Sequence, residues 1–355
     1  MKGIILHGGH GTRLRPLTHT GPKQHLPIAN KPMSEYCLDS IKETGITDIA
    51  IIIGGIGSNK VQEYYGDGTK FGVKITYILQ DEPRGIAHAI KLCEEFVGNE
   101  KFIVFLGDNI IQKSIYDFVN NFQNSTFDAS ILLCEVDNPS RFGIADVKDN
   151  KIVKIMEKPK DPPTNYAVTG IYMLTPKIFK IINNLKPSQR NELEITDALD
   201  LLLKENNNIN FDMITDYWKD TGTPDDIINA NSQILEQLDS KIDGVIENDV
   251  IVNGTIILGV NSIIKTNVKI IGPIIIGENC VIESNSKIGP NASIGDNSII
   301  SDCIISNSII MNNCKLDGEF NIKNSIISAN SEIISRNNES DEKVFLLGEG
   351  TKISL

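Results

Sequence analysis

Two different hydrophobic patterns divide the chain. From residue 1 to about residue 238, short runs of β-branched residues alternate with amphipathic stretches, as in KGIIL, MSEYCLDSIKETG and DIAIIIGG. The short apolar runs predict buried strands, and the longer stretches predict helices. Strands that alternate with helices indicate an α/β fold with a mostly parallel, open, Rossmann-like sheet, in which ligands bind at the carboxyl ends of the strands.

From about residue 245 the pattern changes to a repeat of six residues. An apolar residue occupies every sixth position, at Ile246, Val252, Leu258, Ile264, Ile270, Ile276, Ile282, Ile288, Ile294 and Ile300. Asn, Ser, Asp and Gly fill the turns between them. This repeat is typical of a parallel β-helix, expected here to be left-handed, in which the apolar residues point inward and stack. We therefore predict two domains, 1–240 and 241–355, with residues 336–355 capping the open end.

Composition and charge narrow the classes of function. The chain has 355 residues, of which 40% are hydrophobic, enough for two cores, and its net charge of -12 argues against a nucleic-acid surface. Apolar runs are too short to span a bilayer, and the N-terminus lacks the features of a signal peptide. The six scattered cysteines indicate reduced thiols. We therefore expect a cytoplasmic protein that binds neither nucleic acid nor a membrane.

A glycine-rich turn, HGGHGTRLRP, follows the first predicted strand. Gly8, Gly9 and Gly11 leave room for backbone N–H groups to approach a phosphate, and Arg13 adds positive charge. A P-loop would need a Lys followed by Ser or Thr, and a dinucleotide-binding turn would need a third glycine in place of Leu14. Two interpretations remain at this point, a phosphate-binding turn and a tight strand-to-helix turn with solvated arginines.

The same turn opens a longer stretch, GTRLRPLTHTGPKQHLPIANKPM, that resembles the signature of the sugar-nucleotide pyrophosphorylases. THTGPKQ and PIANKP are similar to the glucose-1-phosphate thymidylyltransferases of the longer type, which carry a β-helix. Further segments resemble this family in the same order, namely QDEPRGIAHAI, FLGDN, PSRFGIADV, MEKPKDPPTNYAVTGIY, QRNELEITDA and YWKDTGTPDD. The resemblance is close over residues 1–235 and looser over the β-helix.

The resemblance implies transfer of a nucleotidyl group to a sugar phosphate. A phosphate oxygen of glucose 1-phosphate would attack the α-phosphorus of dTTP in line and release pyrophosphate, without a covalent enzyme intermediate. Because the nucleophile is already anionic, the protein has to bring two anions together and neutralise the growing charge. Mg²⁺ suits this task, and the resemblance assigns Asp108 and Asp220 as its ligands.

The resemblance also assigns the remaining site residues. The catalytic cations are Arg13, Lys23 and Lys158. The nucleotide site comprises Leu6, Gly8, Gly9, Gly11, Thr12, Arg13, Gln80 and Gly85, of which Gln80 and Gly85 would read thymine. The sugar-phosphate site comprises Gly143, Glu157, Lys158, Asn165 and Tyr172. Strand alternation places Lys158 and Glu157 on opposite faces, so a bend at Pro159 would be required for both to reach the ligand.

The roles of two residues remain open at this point. His7 stands where the family usually has Ala, and its ring would stack on the base, bond to a phosphate or block the pocket. Arg190 would serve either the sugar site or a contact between subunits.

Alternative functions also remain. Thymine differs from uracil by one methyl group, worth about 1 kcal/mol in an apolar pocket, so an enzyme that uses UTP or another hexose phosphate is the main alternative. A β-helix with acetyltransferase activity is less favoured, because no histidine follows residue 240 to act as a general base. We therefore expect the β-helix to serve structure or the formation of a homo-oligomer.

Overall fold

The computed structural model describes residues 1–9, 11–335 and 342–354. These residues form helices α1 (Met33–Glu43), α2 (Ser58–Tyr65), α3 (Ile86–Lys91), α4 (Glu94–Val97), α5 (Tyr116–Gln123), α6 (Lys177–Asn183), α7 (Ile195–Lys204) and α8 (Pro224–Leu235). Short 3-10 helices lie at Thr12–Leu14, Leu17–His19, Lys23–His25, Thr69–Phe71 and Pro139–Arg141. Among the described residues, no helix combines the length and the apolar character needed to cross a membrane.

The strands fall into two series. The first comprises β1 (Lys2–Leu6), β2 (Pro27–Ile28), β3 (Lys31–Pro32), β4 (Asp48–Ile53), β5 (Lys74–Leu79), β6 (Phe102–Leu106), β7 (Asn109–Ile111), β8 (Ala129–Glu135), β9 (Gly143–Lys148), β10 (Lys151–Glu157), β11 (Tyr166–Leu174), β12 (Ile209–Ile214) and β13 (Trp218–Asp220). The second comprises β14 (Lys241–Ile242), β15 (Val245–Ile246), β16 (Ile251–Asn253), β17 (Ile256–Leu258), β18 (Ile263–Ile264), β19 (Lys269–Ile271), β20 (Ile274–Ile276), β21 (Val281–Ile282), β22 (Lys287–Ile288), β23 (Ala292–Ile294), β24 (Ile299–Ser306), β25 (Ser308–Ile310), β26 (Lys315–Lys323), β27 (Ile326–Ile327), β28 (Glu332–Ile334), β29 (Glu342–Lys343), β30 (Leu346–Leu347) and β31 (Lys352–Ser354).

The chain forms two compact units whose boundaries do not follow chain order. The first unit consists of Met1–His10 and Met33–Asp220, and the second consists of Gly11–Pro32 and Thr221–Leu355. The predicted domain boundary after residue 240 divides the chain at a different place and stays a prediction.

The first unit is built on a sheet in the order β10-β9-β11-β6-β1-β4-β5, with β8 between β11 and β12. Strands β6, β1, β4 and β5 are parallel, whereas β11 is antiparallel to β6 and β8. Ile4 and Ile5 are adjacent in β1 and both fully buried, in two different cores. Burial on both faces is typical of parallel strands that helices cover, and it confirms the predicted α/β sheet.

The second unit contains columns of parallel strands that form a coil. The first column runs β14-β17-β20-β23-β25-β27-β30, the second runs β15-β18-β21-β24-β26-β28-β31, and the third runs β16-β19-β22-β24-β26-β29. Of the ten residues of the predicted repeat, eight are fully buried inside the coil, namely Leu258, Ile264, Ile270, Ile276, Ile282, Ile288, Ile294 and Ile300. This arrangement agrees with the predicted parallel β-helix, and its hand stays a prediction.

The two ends of the coil differ from its middle. Val252, in the first rung, is 37% exposed, because in the described part of the chain this rung has a neighbouring rung on one side. At the other end, β30 pairs with β27 and β31 pairs with β28, so residues 342–354 add a rung. Residues 336–341 and 355 of the predicted cap lie outside the described residues.

The segment Gly11–Pro32 belongs to the second unit because it is bonded to α8. The backbone N–H of Ala29 donates to Asn231 Oδ1 at 2.8 Å. The hydroxyl of Ser293, in the β-helix, donates to the same oxygen at 2.7 Å. Asn231 is buried, so one amide joins the segment, α8 and the β-helix.

Candidate active site

The predicted base-reading residues lie together at the ends of β1 and β5. An added Cβ on Gly8 would lie 3.8 Å from Gln80 Oε1. The Nε2 of Gln80 donates to the carbonyl oxygen of Gly85 at 3.4 Å. Leu6 ends β1 as a buried residue. The structure therefore brings Gln80 and Gly85 together beside Gly8.

Gly85 occupies a position that only glycine can fill. Its φ is +100°, a conformation that L-residues with side chains rarely adopt. An added Cβ would collide with the carbonyl oxygen of Leu193 and lie 2.7 Å from its nitrogen. The backbone N–H of Ala87 donates to the same Leu193 oxygen at 3.0 Å. This close approach sets the start of α3 and places the Gly85 carbonyl at Gln80.

His88 is a residue that the sequence analysis missed. Its Nδ1 lies 3.0 Å from Gln80 Nε2. Burial, and then the positive charge of Arg84, lower the pKa of His88 below its usual value. The neutral ring that this favours can accept a hydrogen bond from the Gln80 amide through Nδ1. His88 and the Gly85 carbonyl therefore orient the amide of Gln80 together.

The two predicted metal ligands are brought together by strand pairing. Asp108 is nearly buried and precedes β7, and Asp220 ends β13. These strands are antiparallel, and Asp220 lies opposite Asn109, the neighbour of Asp108. Over a hundred residues of sequence therefore separate two aspartates whose backbones a single ladder brings close together.

Asn109 holds this part of the site in place, and the sequence analysis did not single it out. Its Nδ2 donates to Asp108 Oδ1 at 3.1 Å. Its Oδ1 accepts from the Trp218 indole N–H at 2.8 Å and from the Gly170 backbone N–H at 3.2 Å. Asn109 is buried, so its amide ties β7, β11 and β13 to the Asp108 carboxylate.

Tyr172 connects the two carboxylates to the sugar residues. Its side chain is buried in β11. Burial, and then the negative charges of Glu157, Asp108 and Asp220, raise the pKa of Tyr172 well above its usual value. Three carboxylates therefore lie close enough to act on one phenol.

The pair Asp108 and Asp220 fits a magnesium ion. Within the described part of the chain, no group of three or more His, Cys, Asp or Glu side chains is placed to hold a metal ion. Mg²⁺ is commonly bound through one or two carboxylates together with water and substrate phosphates, so it does not require a third protein carboxylate. The negative charges that converge near Tyr172 are the kind of environment that a hard cation stabilises.

The predicted sugar residues Gly143 and Glu157 are direct partners in the sheet. Glu157 ends β10 and pairs with Gly143 at the start of β9. Glu157 Oε2 accepts from the Thr196 hydroxyl at 3.0 Å, and Oε1 accepts from Arg190 Nη2 at 3.0 Å. An added Cβ on Gly143 would lie only 2.5 Å from Thr196 Cγ2. Both the glycine and the carboxylate are thus fixed by α7, which begins at Ile195.

Lys158 has a backbone conformation that the sequence analysis did not expect. Lys158 follows the last residue of β10 and has a φ of +41°. Lys158 Nζ consequently lies 3.3 Å from Glu157 Oε1. The left-handed conformation of Lys158 brings the two side chains together, and a bend at Pro159 itself stays a prediction.

Arg190 belongs to the same cluster. It donates to both oxygens of Glu194, from Nε at 3.2 Å and from Nη2 at 2.9 Å, in addition to its bond to Glu157. Burial alone would lower the pKa of Arg190, but the bonds and charges of Glu194 and Glu157 raise it overall. Arg190 therefore lies beside the predicted sugar residue Glu157, and its role stays a prediction. Asn165 lies apart from these bonds and donates to Glu135 Oε1 at 2.6 Å.

The predicted phosphate-binding turn is divided between the units: Gly8 and Gly9 belong to the first unit, and the residues from Gly11 onward belong to the second. Gly11 has a φ of +56°, and an added Cβ would lie 2.8 Å from Thr18 Cγ2 and 3.4 Å from Lys23 Cβ. Thr12 and Arg13 are exposed in the 3-10 helix that follows. The guanidinium of Arg13 lies beside Gly222, where an added Cβ would be 3.3 Å from Nη1. Gly11 and Lys23 are therefore brought together within this unit.

Comparison with known proteins shows which family the chain belongs to. Residues 2–237 match the family "Nucleotidyl transferase". The chain belongs to this family. Residues 270–354 match the GMPPB C-terminal domain. The chain is therefore an enzyme of the sugar-phosphate nucleotidyltransferase class.

Several relatives of this nucleotidyl transferase are similar over most of their length. The low-salt glycan biosynthesis nucleotidyltransferase Agl11 of Haloferax volcanii is 48% identical over 73% of this chain and 72% of the relative. A glucose-1-phosphate thymidylyltransferase of Streptomyces antibioticus is 41% identical over 73% of each chain. A Bacillus anthracis structure described as a candidate glucose-1-phosphate thymidylyltransferase, in complex with sucrose, is 44% identical, with a TM-score of 0.64 over 68% of this chain and 98% of the other.

The nucleotidyl transferase accommodates His7 in a core. The ring lies edge-on to Tyr65, with 6.2 Å between ring centroids, and is 2% exposed. Tyr65 belongs to the core that Ile5 enters, whereas Leu6 enters the opposite core. Strand alternation accounts for this, because His7 follows Leu6 and shares the face of Ile5. The roles predicted for His7 toward a nucleotide stay predictions.

Proposed function

We propose that this nucleotidyl transferase is a glucose-1-phosphate thymidylyltransferase that converts dTTP and α-D-glucose 1-phosphate to dTDP-glucose and pyrophosphate. The observation that carries the proposal is the Gln80 amide, held by His88 Nδ1 and the Gly85 carbonyl beside Gly8. A fixed amide offers a donor and an acceptor to the imide edge of a pyrimidine such as thymine. The similarity to the Streptomyces antibioticus enzyme supports the same choice.

The sugar phosphate would be oriented by the cluster around Glu157. The carboxylate would accept from glucose hydroxyls, and Lys158, 3.3 Å from it, would hold the phosphate. Thr196 and Arg190 fix the carboxylate from the other side. A prearranged acceptor of this kind contributes by positioning the nucleophile. Gly143, Asn165 and Tyr172 would complete this site.

The transfer would proceed by direct displacement at the α-phosphorus. A phosphate oxygen of glucose 1-phosphate forms the new P–O bond, and the bond to the β-phosphate breaks with release of pyrophosphate. Arg13 and Lys23 would bind the triphosphate, with backbone contacts at Leu6, Gly8, Gly9, Gly11 and Thr12. Asp108 and Asp220 would hold Mg²⁺, which supplies positive charge to the phosphate oxygens when bound.

The first test measures pyrophosphate release by the purified full chain with glucose 1-phosphate and Mg²⁺. We expect dTTP to give the highest kcat/KM and UTP to follow, because one methyl group is worth about 1 kcal/mol, or roughly fivefold. ATP, CTP and GTP should release little pyrophosphate. A clear preference for UTP would contradict the thymidylyl assignment and favour a uridylyltransferase.

A pair of variants distinguishes the loss of the Asp108 carboxylate from a general loss of folded protein. Asp108→Asn should lower kcat by about a hundredfold or more, the loss expected when a charge that stabilises the transition state is removed. Asp149→Asn is the matched control, since Asp149 is exposed in a turn with a φ of +48°, which suits Asn. Equal activity of both variants would contradict the metal assignment.

A further inference from the structure

Arg190 joins two carboxylates of the first unit through a single nitrogen. Its Nη2 donates to Glu157 Oε1 at 3.0 Å and to Glu194 Oε2 at 2.9 Å. Its Nε donates to Glu194 Oε1 at 3.2 Å. Glu194 therefore binds the guanidinium through two parallel hydrogen bonds, and this geometry fixes the orientation of the guanidinium as well as neutralising its charge.

Glu194 is the buried member of this pair. Its side chain is 5% exposed, whereas that of Arg190 is 42% exposed. The hydroxyl of Ser188 also donates to Glu194 Oε1, at 2.7 Å. A buried carboxylate is costly unless it is paired and hydrogen-bonded, and these contacts meet that requirement. Glu194 is thus the rigid partner, and Arg190 is the long side chain that it holds.

The start of α7 does not use the Glu194 side chain as a cap. Glu194 is the N-cap residue of α7, and its carbonyl oxygen accepts from the Ala198 N–H at 3.2 Å. The side chain of an N-cap residue commonly accepts from an N–H of the first turn, but the Glu194 side chain makes no such bond. The carboxylate is directed to Arg190 instead.

The predicted sugar residue Glu157 is held at both of its carboxylate oxygens. Thr196, buried in α7, donates to Oε2 at 3.0 Å, whereas Arg190 reaches Oε1 from the turn before α7. Glu192 lies 3.6 Å from Arg190 Nη2, which is longer than a hydrogen bond, and its side chain is 38% exposed. Glu194 is therefore the carboxylate that holds Arg190 against Glu157.

We propose that Glu194 is a positioning residue that sets selectivity for the hexose, acting through Arg190 on Glu157. This inference rests on the proposed function, in which the Glu157 carboxylate accepts from hydroxyls of the sugar. An acceptor held at both oxygens favours hydroxyls in one configuration, whereas an acceptor that can rotate also accommodates epimers. Loss of the charge on Glu194 releases Arg190, and one oxygen of Glu157 then loses its donor.

The first test compares Glu194→Gln with the unmodified chain in the release of pyrophosphate. Glutamine has nearly the same shape but a single acceptor oxygen and no charge, so the paired hydrogen bonds are lost. The KM for glucose 1-phosphate should rise about tenfold, as expected for the loss of a hydrogen bond to a charged group, and the KM for the nucleotide should change less than about twofold.

The selectivity itself is measured as a hexose ratio. This is the kcat/KM for glucose 1-phosphate divided by that for an epimer, galactose 1-phosphate or mannose 1-phosphate. In Glu194→Gln the hexose ratio should fall about fivefold, because the epimers lose less than glucose does when the acceptor is no longer fixed. A smaller folded fraction lowers the rate with every sugar in proportion and leaves the hexose ratio unchanged.

Asp128→Asn is the matched control. The side chain of Asp128 is 12% exposed and pairs with Lys177 Nζ at 2.7 Å, so this variant also removes the charge of a nearly buried carboxylate. Asp128 precedes β8, whereas Glu135, which accepts from the predicted sugar residue Asn165, ends the same strand. The control should keep the original hexose ratio. An unchanged ratio in Glu194→Gln, or an equal fall in both variants, would overturn the proposal.

A double-mutant cycle tests the route through Arg190. Arg190→Met should by itself lower the hexose ratio, and adding Glu194→Gln should change it by less than about twofold, because residues that act through one contact are not additive. Effects that multiply would overturn this route. Failure of the proposed function gives a different result, in which the unmodified chain releases no pyrophosphate with any of the three hexose phosphates, and that result would overturn both.

Discussion

At the scale of single residues, the site depends on side chains that orient other side chains. His88 and the Gly85 carbonyl fix the amide of Gln80, and Asn109 fixes the carboxylate of Asp108. The family resemblance supplied Gln80, Gly85 and Asp108, because these lie in motifs. His88 and Asn109 lie in the same segments, but no spacing rule connects a histidine with a glutamine eight residues before it. Their roles follow from distances that the sequence does not contain.

Two glycines of the proposed nucleotide site should respond differently to substitution by alanine. Gly8→Ala places a Cβ 3.8 Å from Gln80 Oε1, an ordinary contact, so the melting temperature should barely change. The KM for dTTP should nevertheless rise by about tenfold, because the methyl group occupies space beside the amide that reads the base. Gly85→Ala, which collides with Leu193, should instead lose folded protein. A Gly8→Ala variant with unchanged kinetics would contradict the placement of the nucleotide.

The affinity for dTTP should fall at acidic pH. The pKa of His88 is lowered by burial and by Arg84, so the folded state favours the neutral ring. The stability that the neutral His88 ring contributes is complete at pH values above the pKa of this histidine in the unfolded chain. It is lost as the pH falls through the lowered pKa of His88 in the folded protein. When His88 is protonated, its Nδ1 becomes a donor and can no longer accept a hydrogen bond from the Gln80 amide. The KM for dTTP should then rise about two- to tenfold, which corresponds to the loss of one hydrogen bond.

A His88→Leu variant provides the control for this pH dependence. It lacks the acceptor at every pH, so its KM should be raised throughout and should not show the acidic rise. If the variant and the unmodified protein have parallel profiles of KM against pH, another group is responsible for the change.

At the scale of elements, pairing of short strands brings together the two aspartates of the proposed metal site. Strands β7 and β13 each have three residues, yet their register sets Asp220 beside Asn109. The family resemblance assigned both aspartates as metal ligands. Their proximity could not follow from local pattern, since the strands of the intervening chain belong to a different sheet from the pair β7 and β13.

Asn109→Ala should weaken both the fold and the proposed metal site. The Gly170 N–H and the Trp218 indole N–H would lose their acceptor, at a cost of about 1 to 3 kcal/mol for each buried donor. Trp218→Phe removes one donor and leaves Asn109 in place, so its loss of stability should be smaller. Both the urea midpoint and the Mg²⁺ concentration for half-maximal activity should be measured. A lower midpoint with unchanged Mg²⁺ dependence would limit Asn109 to a structural role.

At the scale of the whole molecule, the chain is not divided where its patterns change. The hydrophobic period changes near residue 245, but the segment Gly11–Pro32 joins the unit that contains the β-helix. Asn30 Nδ2 donates to the carbonyl of Ile294 at 2.7 Å, far along the sequence. The turn that carries Arg13 and Lys23 is thus supported by the β-helix.

Asn231→Ala should therefore reduce the affinity for the nucleotide indirectly, by loosening the segment Gly11–Pro32. The variant removes the oxygen that accepts from Ala29 and Ser293, which should cost about 1 to 3 kcal/mol of stability. The KM for dTTP should rise because Lys23 is no longer held in place. Gln233→Ala, on the same helix, is the control and should change stability by less than about 0.5 kcal/mol. An unchanged KM for dTTP in the Asn231→Ala variant would contradict the prediction that Asn231 helps to position Lys23.

The sequence alone determined the two architectures and most of the motif residues. Periods of hydrophobicity report which face of an element is buried, and this is a local property, so the α/β sheet and the coil could both be predicted. The left-handed conformation of Lys158, the bonds of Asn109 and His88, and the membership of Gly11–Pro32 were decided by tertiary structure. Each depends on contacts between residues distant along the chain or on a single φ angle, and a periodic pattern carries no information about either.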